Sequence, residues 1–158
     1  VGGHVQVGGN AWVRGNAWVG GYVRVGDNAW VGGHVQVGGN AWVRGYAQVE
    51  DNAWVGGYAQ VEGNARVRDN VRIGGNAWIR SNADYLSIKG IGSSYRNTTA
   101  YKTKGGGIEI VCGCFSGTLE EFETRVQLTH GENKFAKEYR LFIEIMKLHF
   151  MEEKKGKQ

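Results

Sequence analysis

A branched aliphatic residue stands at every sixth position, from Val1 through Val7, Val13 and Val19 to Ile73 and Ile79, fourteen times without an insertion. Ala or Val follows each of them four places later, as in Val25-Gly26-Asp27-Asn28-Ala29-Trp30. The third and fourth places of most hexads are Gly-Asn, Asp-Asn, Gly-His or Gly-Tyr, residue pairs suited to a tight corner. The pattern predicts a short strand Ala-Trp-Val, then a corner, then the same again. Alternation along that strand points Ala29 and Val31 to one side and Trp30 to the other. A three-residue strand cannot stand alone. Coils stacked about 4.8 Å apart let every backbone group pair with the coil above and below, and the small and branched side chains fill a narrow interior.

Sorting the hexads by eighteen residues sets the number of sides. Gly-Gly follows Val1, Val19, Val37, Val55 and Ile73, all five members of one class, against two of the nine remaining hexads. Three-sided coils stack these pairs into one glycine corner. The same sorting puts Arg44, Glu62 and Arg80 in one column and Glu50 and Arg68 in another, so charge alternates between neighbouring coils. Residues 1–14 recur unchanged at 31–44, an offset of five hexads, so the copied unit is not a whole coil.

After Asp84 the rhythm stops. All six Trp and seven Arg lie before it, and nine Lys after it. Tyr85–Ile91, Thr98–Lys104 and Ile108–Cys112 read as strands, with Gly105-Gly106-Gly107 as the turn between the last two. Thr118-Leu119-Glu120-Glu121 is a capping box, so a helix starts there with Leu119, Phe122 and Val126 inward and His130-Gly131 as its stop. Asn133 caps a longer helix with Phe135, Tyr139, Phe142, Met146 and Phe150 on one stripe. Glu152 to Gln158 is polar and expected to fray. Two domains are expected: residues 1–84, and an α+β tail over 85–158.

The run Val-Gly-Asp-Asn-Ala-Trp-Val resembles the hexapeptide repeat of left-handed parallel β-helices over residues 1–84. The resemblance implies a mainly β fold, a triangular left-handed parallel β-helix of 18 residues per coil, with a small α+β cap behind it. The hand comes from the resemblance alone. The resemblance also implies a homotrimer. Ile91-Gly92-Ser93-Ser94, Thr98-Thr99-Ala100-Tyr101, Cys112-Gly113-Cys114-Phe115 and Thr129-His130-Gly131 are similar to a C-terminal module of uncharacterised bacterial and phage hexapeptide-repeat proteins. No activity comes with that likeness; its simplest role is to cover the open edge of the last coil.

Composition narrows the class. With 27 Gly and 0 Pro the chain is glycine-rich yet has no collagen-like period, and 41% hydrophobic content supports a core. No apolar run approaches about 18 residues, so no membrane-spanning helix is expected. The start at Val1 lacks the features of a signal peptide and an initiator Met, so residues are expected upstream. Two Cys make no disulfide framework, and a cytoplasmic location is the expectation. Net charge is only +4. Lys89, Arg96, Lys102 and Lys104 gather near the strands, but a solvated face is the expected reading and nucleic acid is not the expected partner.

The outward tryptophans are the main candidates for function. Trp12 and Trp30 fall on one face, Trp18 and Trp54 on a second, and Trp42 and Trp78 on the third. Exposed indoles suggest contact between copies or with a protein partner. The plainer account is repeat copying, with each ring resting on neighbouring side chains and glycine-poor surface. The function expected is a non-catalytic assembly or protein-interaction module without a cofactor.

One alternative is an acyltransferase-like or carbonic-anhydrase-like enzyme using His4 or His34 at a subunit boundary. Fourteen unbroken hexads leave no inserted loop to shape a substrate cleft for it. Another alternative is a small nucleotide or metabolite binder in the tail, through Ser93, Ser94, Arg96 and Tyr101. Cys112 and Cys114 are expected on one side of a strand as small buried hydrophobes. With His130 and His149 they supply the residue types of a zinc site without its usual spacing, so no metal is expected.

Overall fold

Every Ala-x-Val hexad closes its hydrogen bonds against the hexad eighteen residues away. In the computed structural model, which describes residues 2–151, Trp12 pairs with Trp30, Trp54 with Arg72 and Val61 with Ile79, all in parallel register. Val1 and the segment from Glu152 to Gln158 lie outside the described residues. Fourteen short strands, from Gly2–Gly3 to Trp78–Ile79, form three parallel sheets of five, five and four strands. The result is a parallel solenoid of about four coils with three sides, as the eighteen-residue sorting requires.

The interior is the aliphatic column the pattern predicts. Ala29, Val31, Ala41, Val43, Ala59 and Val61 are fully buried, and the ring of every described Trp lies outside this core. Val5, Ala11, Val13 and Ala17 are only partly buried, because the first coil has a neighbour on one side alone. The glycine corner has a steric cause. Gly21 and Gly39 have φ of 85° and 66°, and a Cβ on Gly21 would stand 2.6 Å from the Gly39 carbonyl oxygen in the next coil. Elsewhere Asp27, Asp51 and Asp69 take the positive-φ place. Asp27 makes itself useful there, its carboxylate accepting a 3.0 Å bond from the Gly45 amide one coil on.

A capped 3-10 turn, Asn82–Asp84, leads into an antiparallel sheet of strands Tyr85–Ile91, Arg96–Lys102, Ile108–Cys112 and Phe115–Thr118, in chain order across the sheet. The second strand starts two residues earlier than expected and the fourth was not expected. The helices are α1 (Leu119–His130) and α2 (Lys134–Phe150), capped by Thr118 and Asn133 as the sequence indicates.

The sheet lies between the last coil and the two helices, and alternation divides its side chains. Tyr85, Tyr101 and Val111 join the solenoid core, whereas Leu86, Ala100 and Ile110 pack with Phe122, Phe142 and Met146. The tail also satisfies the free backbone of the last coil. Arg66 N–H donates to Asn82 at 2.8 Å, and the Arg66 carbonyl accepts the Tyr85 hydroxyl. Asn97 donates to the Asn70 carbonyl at 2.6 Å, and Lys104 N–H to the Asn76 carbonyl at 3.2 Å. Buried Asp84 accepts from the backbone of Arg80 and Ser81 and pairs with Lys102 at 3.4 Å. A sheet edge that would otherwise recruit another chain is thereby covered.

Candidate functional site

The solenoid faces carry the tryptophans where the hexads place them, in the pairs predicted. Most of these rings already have partners in their own chain. Arg24 and Arg44 lie over Trp42, Arg72 over Trp54 and Arg80 over Trp78, with guanidinium-to-ring distances of 4.2 to 5.5 Å. Trp12 and Trp30 stack at 6.1 Å and 3°, and Arg14 reaches both. Each cation–π contact at such a surface contributes about 0.5–1 kcal/mol.

The surface under three of the rings is not glycine-poor. Three of the six indoles, those of Trp18, Trp30 and Trp54, fold back over the glycine two residues on: a Cβ at Gly20 would meet Trp18 at 2.6 Å, and one at Gly32 would meet Trp30 at 2.7 Å. Trp12, Trp42 and Trp78 have Arg14, Arg44 and Arg80 at that place. At those three glycines only a residue without a side chain leaves room for the flat ring in this position. Trp12 and Trp18 remain 54% exposed; the other four are half-buried.

The columns of alternating charge are real. Arg44 and Glu62 approach to 2.6 Å, and Arg68 and Glu50 to 3.0 Å. Burial disfavours the Glu62 charge, but the Trp78 indole N–H and Arg44 outweigh it and hold the carboxyl below its ordinary value. The two repeat histidines are not brought together. His4 stacks on Tyr22 at 5.0 Å, whereas His34 lies on another corner, beside Asp51. From Gln6 to Trp78 each strand begins six residues after the last, so no loop interrupts the faces.

The tail contains a concave site. A cavity of about 260 Å³ is bounded by the Ser93-Ser94 turn, Arg96, the hairpin turn at Cys112 to Cys114, and α1 from Phe122 to His130, with Tyr139 of α2 at its base. Three of the four predicted ligand-binding residues line it: Ser93, Ser94 and Arg96. Tyr101 does not. It points to the opposite face of the sheet, fully buried in the solenoid end with its hydroxyl 3.3 Å from Glu109. Arg96 and Tyr101 are five residues apart on one strand and so project to opposite sides.

The cysteines need correction. Cys112 ends its strand and Cys114 lies beyond it in the two-residue turn, exposed, because Gly113 with φ of 58° reverses the chain. Cys112 is half-buried, accepting from Thr98 at 3.1 Å and lying 3.7 Å from the Tyr139 hydroxyl. Burial, then the Cys112 thiol, pushes the Tyr139 hydroxyl well above its ordinary range.

Both cysteines and His130 border the cavity, but His149 does not: its ring contacts the Ala83 carbonyl at 3.0 Å, at the junction with the solenoid. Among the described residues no three metal-ligating groups converge. The basic residues also separate. Lys102 and Arg96 occupy opposite ends of a seven-residue strand, about 20 Å apart, and Lys102 is paired with Asp84.

Two features escaped the sequence reading. Arg125 and Thr129 line the cavity from α1, one residue before Val126 and three after it. Helix α2 presents a second apolar stripe, Leu141, Ile145 and Leu148, which is 68%, 50% and 70% exposed. Its i, i+4, i+7 spacing was visible in the sequence beside the inward stripe.

The family described as Bacterial transferase hexapeptide (six repeats) matches residues 46–81, the length of two coils. Match and geometry agree: the solenoid is a hexapeptide-repeat β-helix. Neither the curated proteins nor the solved structures yield a match to the chain. No helix among the described residues is long and apolar enough to cross a membrane.

Proposed function

We propose that the chain is a non-catalytic assembly module, in which copies meet through the outer face of α2 and the β-helix acts as a rigid spacer. The observation that carries this reading is the Leu141, Ile145 and Leu148 stripe. It faces water although the opposite face of the same helix already seals the tail core with Tyr139, Phe142 and Met146. Full burial of one such aliphatic side chain is worth about 1.5–3 kcal/mol, so three at an interface supply a substantial part of a binding energy. Hexapeptide-repeat proteins commonly form trimers, and a homotrimer is the assembly proposed for this chain.

The half-exposed Trp12 and Trp18 offer a separate contact for a protein partner at the other end of the solenoid. The transferase-like alternative has less support, since its candidate histidines occupy different corners and the faces carry no cleft-forming loop.

Native mass spectrometry tests the proposal. The intact chain is expected at three times its subunit mass. A Leu141→Glu, Leu148→Glu variant is expected as a monomer with an unchanged circular dichroism spectrum, because neither side chain belongs to the core. A monomeric intact chain, or a double variant that keeps the parent mass, overturns the reading.

A further inference from the structure

The cavity in the tail has a chemical bias that the assembly reading does not use. Twelve residues line it, and none is Asp or Glu. Two of them are Arg96 and Arg125, and among the described residues neither forms an ion pair. Two carboxylates close to the cavity on the neighbouring helices are engaged with the backbone. Glu121, one turn before Arg125, closes the capping box with the Thr118 N–H at 2.9 Å. Glu138, next to Tyr139, accepts the Gly92 N–H at 2.8 Å.

Both guanidinium groups are positioned by the chain. Arg96 folds against the hairpin turn, where a Cβ on Gly113 would stand 2.8 Å from its Cδ, so this glycine leaves space for the arginine. Arg125 lies over the Phe115 ring at 5.7 Å. Around them are the hydroxyls of Ser93, Ser94 and Thr129 and the imidazole of His130, with Phe115, Phe122 and Val126 forming an apolar wall.

We propose that this cavity binds a small phosphomonoester, its phosphate held between Arg96 and Arg125 and its organic part against Phe115 and Phe122. The anion follows from two uncompensated guanidinium groups on a carboxylate-free lining. Phosphate is favoured over carboxylate by the number of donors. Two planar forks and three hydroxyls exceed what the two oxygens of a carboxylate can use, and suit the three terminal oxygens of a phosphomonoester. The volume sets the size. About 260 Å³ is below the roughly 300–1,000 Å³ of sites for drug-sized ligands, so the organic part is no larger than a single ring. The aromatic wall gives that ring a surface to stack on.

The test is titration of the isotopically labelled full chain with phenyl phosphate, inorganic phosphate, benzoate and a short DNA duplex, followed by amide NMR. Phenyl phosphate is expected to shift the amides of Ser93, Ser94 and Thr129 and to bind at least tenfold more tightly than benzoate, with inorganic phosphate between them. R96Q and R125Q are each expected to weaken phenyl phosphate at least tenfold while leaving the melting temperature unchanged, since both side chains are exposed. R14Q, on the solenoid, is the control and is expected to bind as the parent does.

Four results overturn the proposal: no shift at millimolar phenyl phosphate, shifts centred elsewhere, full binding by both variants, or a duplex that binds the same residues more tightly than phenyl phosphate. None depends on the oligomeric state, so the assembly reading stands or falls separately.

Discussion

Arg44 and Glu62, eighteen residues apart, face each other at 2.6 Å across two neighbouring coils. The contact exists because one coil consumes eighteen residues, and it ties adjacent turns of a solenoid whose strands, Trp18–Gly21 apart, are only two residues long. Glu62 also accepts from the Trp78 indole one coil further on, so three coils share one carboxylate.

That sharing gives the solenoid a pH dependence. The folded state holds Glu62 below the ordinary value of 4.5, so the unfolded chain binds more protons between the two values. The contribution is complete above about pH 4.5 and disappears as pH falls through the lowered value. Glu62→Gln is expected to cost up to about 1 kcal/mol at neutral pH, because Arg44 is partly exposed and screened. Denaturant melts at pH 7 and pH 3 check this: the gap between parent and variant should narrow at the lower pH.

The glycine corner makes a sharper prediction. Gly39→Ala places a Cβ 2.7 Å from the Gly57 carbonyl oxygen at φ of 66° and should cost about 1–3 kcal/mol. Gly26→Ala, where nothing lies within 4 Å, should be neutral or slightly stabilising. Thermal melts of the two variants separate corner strain from a general effect of removing glycine.

Tyr101 closes the end of the solenoid. Burial and the nearby Glu109 push its hydroxyl above the ordinary range, so it stays neutral and protonated at physiological pH. Tyr101→Ala is expected to cost about 3–5 kcal/mol by opening a cavity beneath the last coil. Tyr101→Phe should cost only about 1 kcal/mol, since it removes a single hydrogen bond and keeps the ring. Chemical denaturation of both variants checks the ratio.

The solenoid was legible because its code is local and repeated. Whether Ala29, Trp30 and Val31 point in or out depends only on strand alternation, and one period fixes every pair. The helix starts at Thr118 and Asn133 were equally readable, being decided within four residues. The tail sheet was harder. Phe115–Thr118 was missed because Gly117 and the capping residue Thr118 mark a boundary rather than a strand. Tyr101 was grouped with Ser93, Ser94 and Arg96, from which the structure separates it, because two apolar layers, the solenoid end and the helices, compete for the two faces of that sheet. Only their relative position shows that Thr99 and Tyr101 face the solenoid while Thr98 and Ala100 face the helices. Cys114 was placed in a strand because nothing local shows that Gly113 reverses the chain.

The central claim is that the outer stripe of α2 joins copies of this chain. Sedimentation velocity over a dilution series of the intact chain tests it most directly, with Leu141→Glu, Leu148→Glu run alongside. The account predicts a trimer that dissociates on dilution and a variant that sediments as a monomer throughout. A parent that sediments as a monomer at every concentration, or a variant indistinguishable from an associating parent, contradicts it.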